Sequence, residues 1–386
     1  MAAAAPPRYS VLRAEHGGVA VVLLADAAAG LTVGVAPALG AELCSLHFRG
    51  VELLHRALDF APAAPAGAWY GHGQLLFPAV GRCRDARYAF PPGGAAPPRD
   101  MALHGFASSA RFAELVSAAD DERGAELVCV LDSREAAAGA APPPRAASVP
   151  LPFRLEVTFR VRGGVLRVAH RVANVEAAPG ALLPFSIGNH ISLAFPFEPA
   201  RGAGAGASWA AGRLLSTLTH EHLLTPGSLL SGEVAPRAEL GSASGLPLTA
   251  PCATNGVFGF GPGAGAEVLL GPASLMLVEP GGISVEVTHA VTPPAAAARP
   301  GEAAACSWEA VAASRHFVLW GEPPAPGVPG ARGFICPEPW VGGPDALNTL
   351  RGLMVLRGGE AATWEFAVAP SRGAAESESV SAGDAP

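Results

Sequence analysis

From Phe153 to Val172 the chain alternates apolar and polar residues. Phe153, Leu155, Val157, Phe159 and Val161 take every second position, with Arg154, Glu156, Thr158 and Arg160 between them. After Gly163-Gly164 the period resumes at Leu166, Val168, His170 and Val172. Period two is that of a β-strand with one buried and one wet face, and a two-glycine link joins two such runs as an antiparallel hairpin. Shorter runs of the same kind occupy Val19 to Leu24, Leu31 to Val35, Glu42 to Phe48 and Val51 to Leu54. Later ones are Glu267 to Leu270, Ser274 to Glu279, Ile283 to His289, His316 to Trp320, Leu353 to Leu356 and Thr363 to Val368. No long stretch carries the 3.6-residue period of an amphipathic helix, and strands do not alternate with helices. The pattern predicts an all-β fold, a large antiparallel β-sandwich or barrel.

Between these runs lie segments of Ala, Gly, Pro and Ser that have little to bury: residues 135–147, 199–212, 293–305 and the end from about 370. They read as loops and a tail on one domain, residues 9–369, flanked by a disordered start (1–8) and end (370–386). Removing the tail is expected to leave thermal stability and activity unchanged. A large drop in melting temperature on truncation would show that it docks.

The Ala content sets the mean hydropathy of +0.31, so that value does not argue for a membrane, and no apolar run reaches the ~18 residues of a spanning helix. The net charge of -7 offers no basic surface for a nucleic acid. All 26 basic residues are arginine. The start lacks the basic and apolar regions of a secretory signal. The six cysteines (Cys44, Cys83, Cys129, Cys252, Cys306, Cys336) are scattered and form no CxxC pair. Both features favour reduced thiols and a cytoplasmic protein.

Three motifs set a protonatable side chain among glycine, proline or aromatic residues. Phe334-Ile335-Cys336-Pro337-Glu338-Pro339-Trp340 holds a carboxylate between two prolines, which fix φ and stiffen the segment. A tryptophan beside a positioned carboxylate suits a sugar, ring face on ring face and carboxylate on hydroxyl. Leu103-His104-Gly105-Phe106 and Gly188-Asn189-His190 are the other two motifs. A single histidine in a β protein is ordinarily structural, and a lone Glu-Pro-Trp is ordinarily a surface loop. No His-x-His or His-x₃-His pair accompanies these residues. The nearest pair, His220 and His222 around Glu221, has no further ligands nearby in sequence, so no metal site is expected.

Taken in order, these motifs resemble the aldose 1-epimerase (mutarotase) family. The likeness runs from about Tyr9 to Val368. It takes in Gly40-Ala41-Glu42-Leu43, Leu76-Phe77-Pro78-Ala79-Val80-Gly81-Arg82, His104-Gly105-Phe106, Gly188-Asn189-His190 and Glu338-Pro339-Trp340. The Trp69-to-His72 and Leu-Phe-Pro spellings are similar to the bacterial-type branch. The resemblance implies a galactose mutarotase-like β-sandwich and interconversion of sugar anomers, with Glu338 as base, His190 as acid and His104 assisting at the ring oxygen. Arg82, Trp340, His72 and Asn189 would bind the sugar. No cofactor or metal is implied, and the partner would be an aldohexose or its 6-phosphate. His104, His190, Glu338 and Arg82 should converge on one cleft, with His190 and Glu338 facing each other across a gap the width of one pyranose.

Other readings stay open. Galactose mutarotases carry an aspartate between the second histidine and the base; Glu221 matches it poorly. A hexose-6-phosphate substrate would call on arginines such as Arg84, Arg87 or Arg315. A non-catalytic carbohydrate-binding protein would keep Trp340 and Arg82 without an acid and base. A glycoside hydrolase needs a second carboxylate that Glu338 does not evidently have. Trp69, Tyr70, His72 and Trp340 are candidate cleft walls, and Asp345 and Asn348 read as braces of the loop under Glu338.

Overall fold

The computed structural model describes residues 7–60, 71–94, 97–135, 149, 152–178, 180–198, 205–264, 269, 271–280, 282–292, 307–328 and 330–373. Trp69 and Tyr70, the segments expected as loops at 136–147, 199–204 and 293–305, and the end from residue 374 lie outside them. So does all of the 267–270 run except Leu269.

The period-two runs become strands at the expected places. Phe153–Arg162 and Val165–Asn174 pair antiparallel, Val157 opposite His170. Gly163 and Gly164 both have positive φ, 60° and 75°, the backbone of a turn whose twist matches its strands. Phe153, Leu155, Val157, Phe159 and Val161 are buried. At about 1.5–3 kcal/mol for each large apolar side chain taken from water, this face holds the hairpin in the fold more firmly than strand propensity does.

The described strands form two main antiparallel sheets. Along its main path, the larger runs in the order Tyr9–His16, Val19–Asp26, Leu31–Ala36, Glu42–Phe48, Gly73–Leu76, Ile187–Ile191, Gly333–Val341, Arg315–Glu322, Asn255–Gly259, His220–Leu224 and Leu230–Pro236. The second runs Leu246–Pro247, Arg213–Ser216, Ala273–Val278, Ile283–Thr292, Ala361–Arg372, Val165–Asn174, Phe153–Arg162, Gly124–Asp132 and Ala113–Asp120. Side chains of both sheets, among them Leu46, Ile187, Phe317 and Ile335 from one and Val157, Val168 and Val285 from the other, share one apolar core. The fold is therefore the antiparallel sandwich that the alternation predicts. Helices among the described residues are short: Ala205–Ala211, Trp308–Ala313 and Ala346–Thr349.

Three features differ from the sequence reading. Ala205–Ala211, within the 199–212 segment read as loop, is a helix. The last strand continues to Arg372, with Pro370, Ser371 and Arg372 opposite Val285, Ser284 and Ile283, so the paired chain passes residue 370. A truncation that tests the tail therefore begins after residue 373. Glu338 lies inside the strand Gly333–Val341, not in a loop. Its flanking prolines are tolerated because this stretch pairs on one flank only. Leu193 meets Ile335 and Gly188 meets Trp340, and between those points the described residues offer no partner on that side.

Candidate active site

Directly opposed residues of an antiparallel pair share a face, as do residues two apart on one strand. His190 opposes Gln74, and Gly188 opposes both Leu76 and Trp340. Glu338 opposes Val318, Cys336 opposes Trp320, and Trp320 in turn opposes Asn255. Gln74, His190, Cys336, Glu338, Trp340, Val318, Trp320 and Asn255 therefore stand on one face of the larger sheet. The alternate residues Leu75, Ile187, Ile335, Phe317 and Leu319 enter the shared core, so this face looks outward.

A cleft of about 380 Å³ opens on that face, within the roughly 300–1,000 Å³ of small-molecule sites. His104, His190, Glu338 and Arg82 all line it, as do Trp320, Asn255, Gln74 and the half-exposed Leu103. The convergence expected from the motif order is thus present. The facing arrangement is not. His190 Nε2 lies 3.4 Å from Glu338 Oε1, in contact, because the two residues project from neighbouring strands onto the same floor. Both side chains are buried, at 7% and 2% exposure. Burial disfavours the charged form of each. It pushes the Glu338 carboxyl well above its usual range, opposed by the hydrogen bond from Trp340, and pulls the His190 imidazole down to about 4. With the carboxyl raised and the imidazole lowered, a proton shared by the pair is favoured on the carboxyl.

Trp340 also lines the cleft, and it makes a further contact that its sequence position does not show. Only 4% exposed, its indole packs with Leu76, Val80 and Val318 and donates from Nε1 to Glu338 Oε2 at 3.2 Å. Two glycines make room for it. A Cβ at Gly188 would come within 2.7 Å of Trp340 Cδ1, and one at Gly81 within 3.3 Å of its Cζ3. The glycines of Gly-Asn-His and of the segment before Arg82 thus clamp the tryptophan of Glu-Pro-Trp. The more open indole is that of Trp320, whose ring meets His190 edge-on at 5.8 Å.

His104 sits in a left-handed conformation, φ 62°, costly for a residue with a Cβ. Two bonds fix it there: its N–H donates to Gly81 O at 2.9 Å, and its Nδ1 accepts from Gly81 N–H at 3.1 Å. An accepting Nδ1 places the ring proton on Nε2. Burial first, then His190 and Arg82, lower its pKa to about 3, so His104 is a neutral, oriented N–H donor. The next residue, Gly105 (φ 74°), has its missing Cβ within 2.2 Å of Phe77 O, so only glycine fits there.

His72 and Asn189 do not line the cleft. His72 is fully buried, with Nδ1 3.3 Å from Glu42 Oε2 and Nε2 2.8 Å from Arg56 O. Asn189 takes the inward parity of its strand and donates to Gly73 O at 3.2 Å, tying two strands together. Of the arginines considered for a phosphate, Arg315 is buried and donates to the carbonyls of Ala312, Gly271, His289 and Leu269, and Arg87 pairs with Asp100. Arg84 lies beside Asp345 and, with Arg351, His222 and His316, lines an adjoining cavity of about 270 Å³ that shares Pro344 with the cleft. Glu221 pairs with Arg237 and stands opposite the core residue Phe258, on the face away from the cleft. The polar residues from this region that line the cleft are Ser228 and Asn255, which the sequence reading missed together with Gln74 and Trp320. The only sequence signal of Asn255, Gln74 and Trp320 is strand parity with Glu338 and His190. Asp345 and Asn348 are braces as expected. Asp345 accepts from Arg84 N–H, and Asn348 donates to Arg87 O and to Asp345.

The sequence profile of aldose 1-epimerases matches residues 22–207, a span that includes Arg82, His104 and His190. The chain is aldose 1-epimerase-like. Its fold is that of a galactose mutarotase-like protein from Clostridium acetobutylicum (TM-score 0.65, 13% identity, covering 95% of this chain and 99% of that one). It is also similar to a galactose 1-epimerase from Lactobacillus acidophilus (0.61, 12%, 96% and 100%) and to a protein from Synechocystis (0.59, 17%, 95% and 98%). No curated protein matches the sequence. At these identities the structural likeness is one of fold. Among the described residues, no helix of this aldose 1-epimerase-like chain is long and apolar enough to cross a membrane.

Proposed function

We propose that the chain interconverts the α and β anomers of an aldose. The observation that carries this reading is the 3.4 Å contact of His190 with Glu338 on the floor of a cleft of about 380 Å³. Ring opening takes a proton from O1 and delivers one to O5 as the C1–O5 bond breaks. O1 and O5 are both bonded to C1, so an acid and a base in contact suit them, and no gap the width of a ring is needed. Passing the shared proton from Glu338 to His190 across their contact gives the working form. Glu338 then accepts from O1 while His190 donates to O5. The C1–C2 bond turns, and closure on the other face of the aldehyde returns both protons. The Nε2–H of His104 suits a hydrogen bond to a sugar oxygen, and Arg82 sits at the mouth to meet hydroxyls.

Saturation-transfer NMR of anomer exchange, on a panel of free and 6-phosphorylated aldoses, tests this reading. Exchange no faster than the uncatalysed rate for every sugar would leave a binding protein. A phosphorylated substrate is the second reading, favoured by Arg84 and Arg351 in the adjoining cavity. A preference for 6-phosphates that disappears with Arg351→Ala would support it.

The pH profile follows from the pair. With one proton it can both accept and donate. Below about 4 His190 gains a second proton, and the pair has no site left to accept one. Above the raised value of Glu338 the pair has lost its only proton. The rate kcat/KM should therefore fall on the acid side through about pH 4. An acid limb centred near 6.5 would contradict the burial argument.

Trp320→Ala should raise KM on the order of tenfold, the equivalent of about 1.4 kcal/mol for one aromatic contact, with little change in kcat. An unchanged KM would remove Trp320 as a sugar platform.

A further inference from the structure

We propose that His190, Cys336 and Glu338 form a binding site for Zn²⁺ or a similar thiophilic divalent cation, open to the cleft and excluding a sugar when filled. The three side chains share the outward face of the sheet, and their donor atoms (one imidazole nitrogen, one sulfur, one carboxylate oxygen) all lie within 4.8 Å of one another. All three are buried.

The donor set is mixed nitrogen, sulfur and oxygen, the chemistry of zinc sites. Two of the donors already have the needed spacing. Nitrogen and oxygen ligands about 2.1 Å from a tetrahedral ion stand about 3.4 Å apart. His190 Nε2 and Glu338 Oε1 are 3.4 Å apart. The sulfur has to approach by on the order of 1 Å to reach a zinc–sulfur bond length. That motion gives up the thiol's 3.2 Å hydrogen bond to Ser192 Oγ. His190 and Glu338 line the cleft, so a fourth ligand would be water from it, the open geometry of a three-ligand zinc site.

Charge also balances. Binding releases the thiol proton and the proton shared by His190 and Glu338. A dication with one thiolate and one carboxylate then has no net formal charge, so the filled site avoids the cost of an uncompensated buried ion. The cation takes both groups assigned to proton transfer. On the anomerase reading it therefore inhibits, and the site is a point of control by free zinc, not a cofactor site.

Titration of the full chain with Co²⁺ in place of Zn²⁺ tests the site without any activity. One equivalent should give a near-ultraviolet thiolate-to-cobalt band and the visible bands of a tetrahedral ion, both abolished by Zn²⁺. Cys336→Ser should lose the thiolate band and weaken Co²⁺ binding on the order of 100-fold, at least the cost of losing an outer-shell partner of a metal site. No thiolate band in the wild type overturns the proposal. So does a band that survives Cys336→Ser, since it then comes from another cysteine such as the half-buried Cys252. In a second arm, Zn²⁺ should stop anomer exchange in the wild type, and a chelator should restore it. If the wild type shows no exchange, the anomerase reading fails, while the cobalt spectrum still decides the metal site.

Discussion

Glu338→Gln is expected to slow anomer exchange by roughly 10²–10⁴-fold, the usual span for losing a general base. The substitution removes proton affinity and changes little else. The amide oxygen can still accept from Trp340 Nε1, which holds the carboxylate at 3.2 Å, and from a sugar hydroxyl. Sugar affinity should therefore change far less than rate. His190→Asn should slow exchange similarly, since it leaves Glu338 with no partner to exchange its proton with. In the double variant the losses should be far from additive, because either single change already breaks the pair. Saturation transfer at equal protein concentration measures all four proteins. Equal exchange by wild type and Glu338→Gln, well above the uncatalysed rate, would take Glu338 out of the base role. A wild type that binds sugar without exchange, with Glu338→Gln changing affinity alone, would favour a binding protein.

Much of the fold was legible because alternation directly reports a half-buried strand. Phe153 to Val172 could pair in few other ways once Gly163-Gly164 set the turn. The extent of the last strand was not legible. Pro370, Ser371 and Arg372 have a loop-like composition, and only the neighbouring strand Ile283–Thr292 extends the ladder over them. Glu338 illustrates the same limit within the site. Two prolines around it argue against an inner strand, and the unpaired flank that tolerates them is a property of the sheet, invisible in the segment itself.

The site was legible where glycine or proline spells a constraint. His104, His190 and Glu338 carry such neighbours, and they meet. His72 and Asn189 sit among similar neighbours, yet their side chains are used up by Glu42, Arg56 O and Gly73 O. Motif membership gave their position and not their facing. Trp320, Gln74 and Asn255 had no motif. They reach the cleft by register alone, which requires knowing which strands are neighbours. The contact between His190 and Glu338 was likewise hidden, because 3.4 Å follows from two adjacent strands and a shared face.

Gly188→Ala should lower the exchange rate on the order of 10²-fold although residue 188 touches no reacting group, since a displacement of about 1 Å at a catalytic group costs that much. The added methyl would meet Trp340 Cδ1 at 2.7 Å, Pro339 O at 3.0 Å and Val80 Cγ1 at 3.1 Å. The indole has no retreat, because Gly81 closes on its other edge and Leu76 and Val318 pack around it. It must tilt, and its Nε1–H then leaves Glu338 Oε2. Overpacking of this kind costs typically 1–3 kcal/mol, so melting temperature should fall as well. Trp340→Phe on the Gly188→Ala background separates the two effects. The smaller ring should relieve the crowding and recover most of the melting temperature. It carries no N–H, so the rate should stay low. Calorimetry and saturation transfer on the single and double variants read both quantities. Recovery of rate together with stability would mean that Trp340 only fills space, and a wild-type rate in Gly188→Ala would remove its hold on Glu338 from the mechanism.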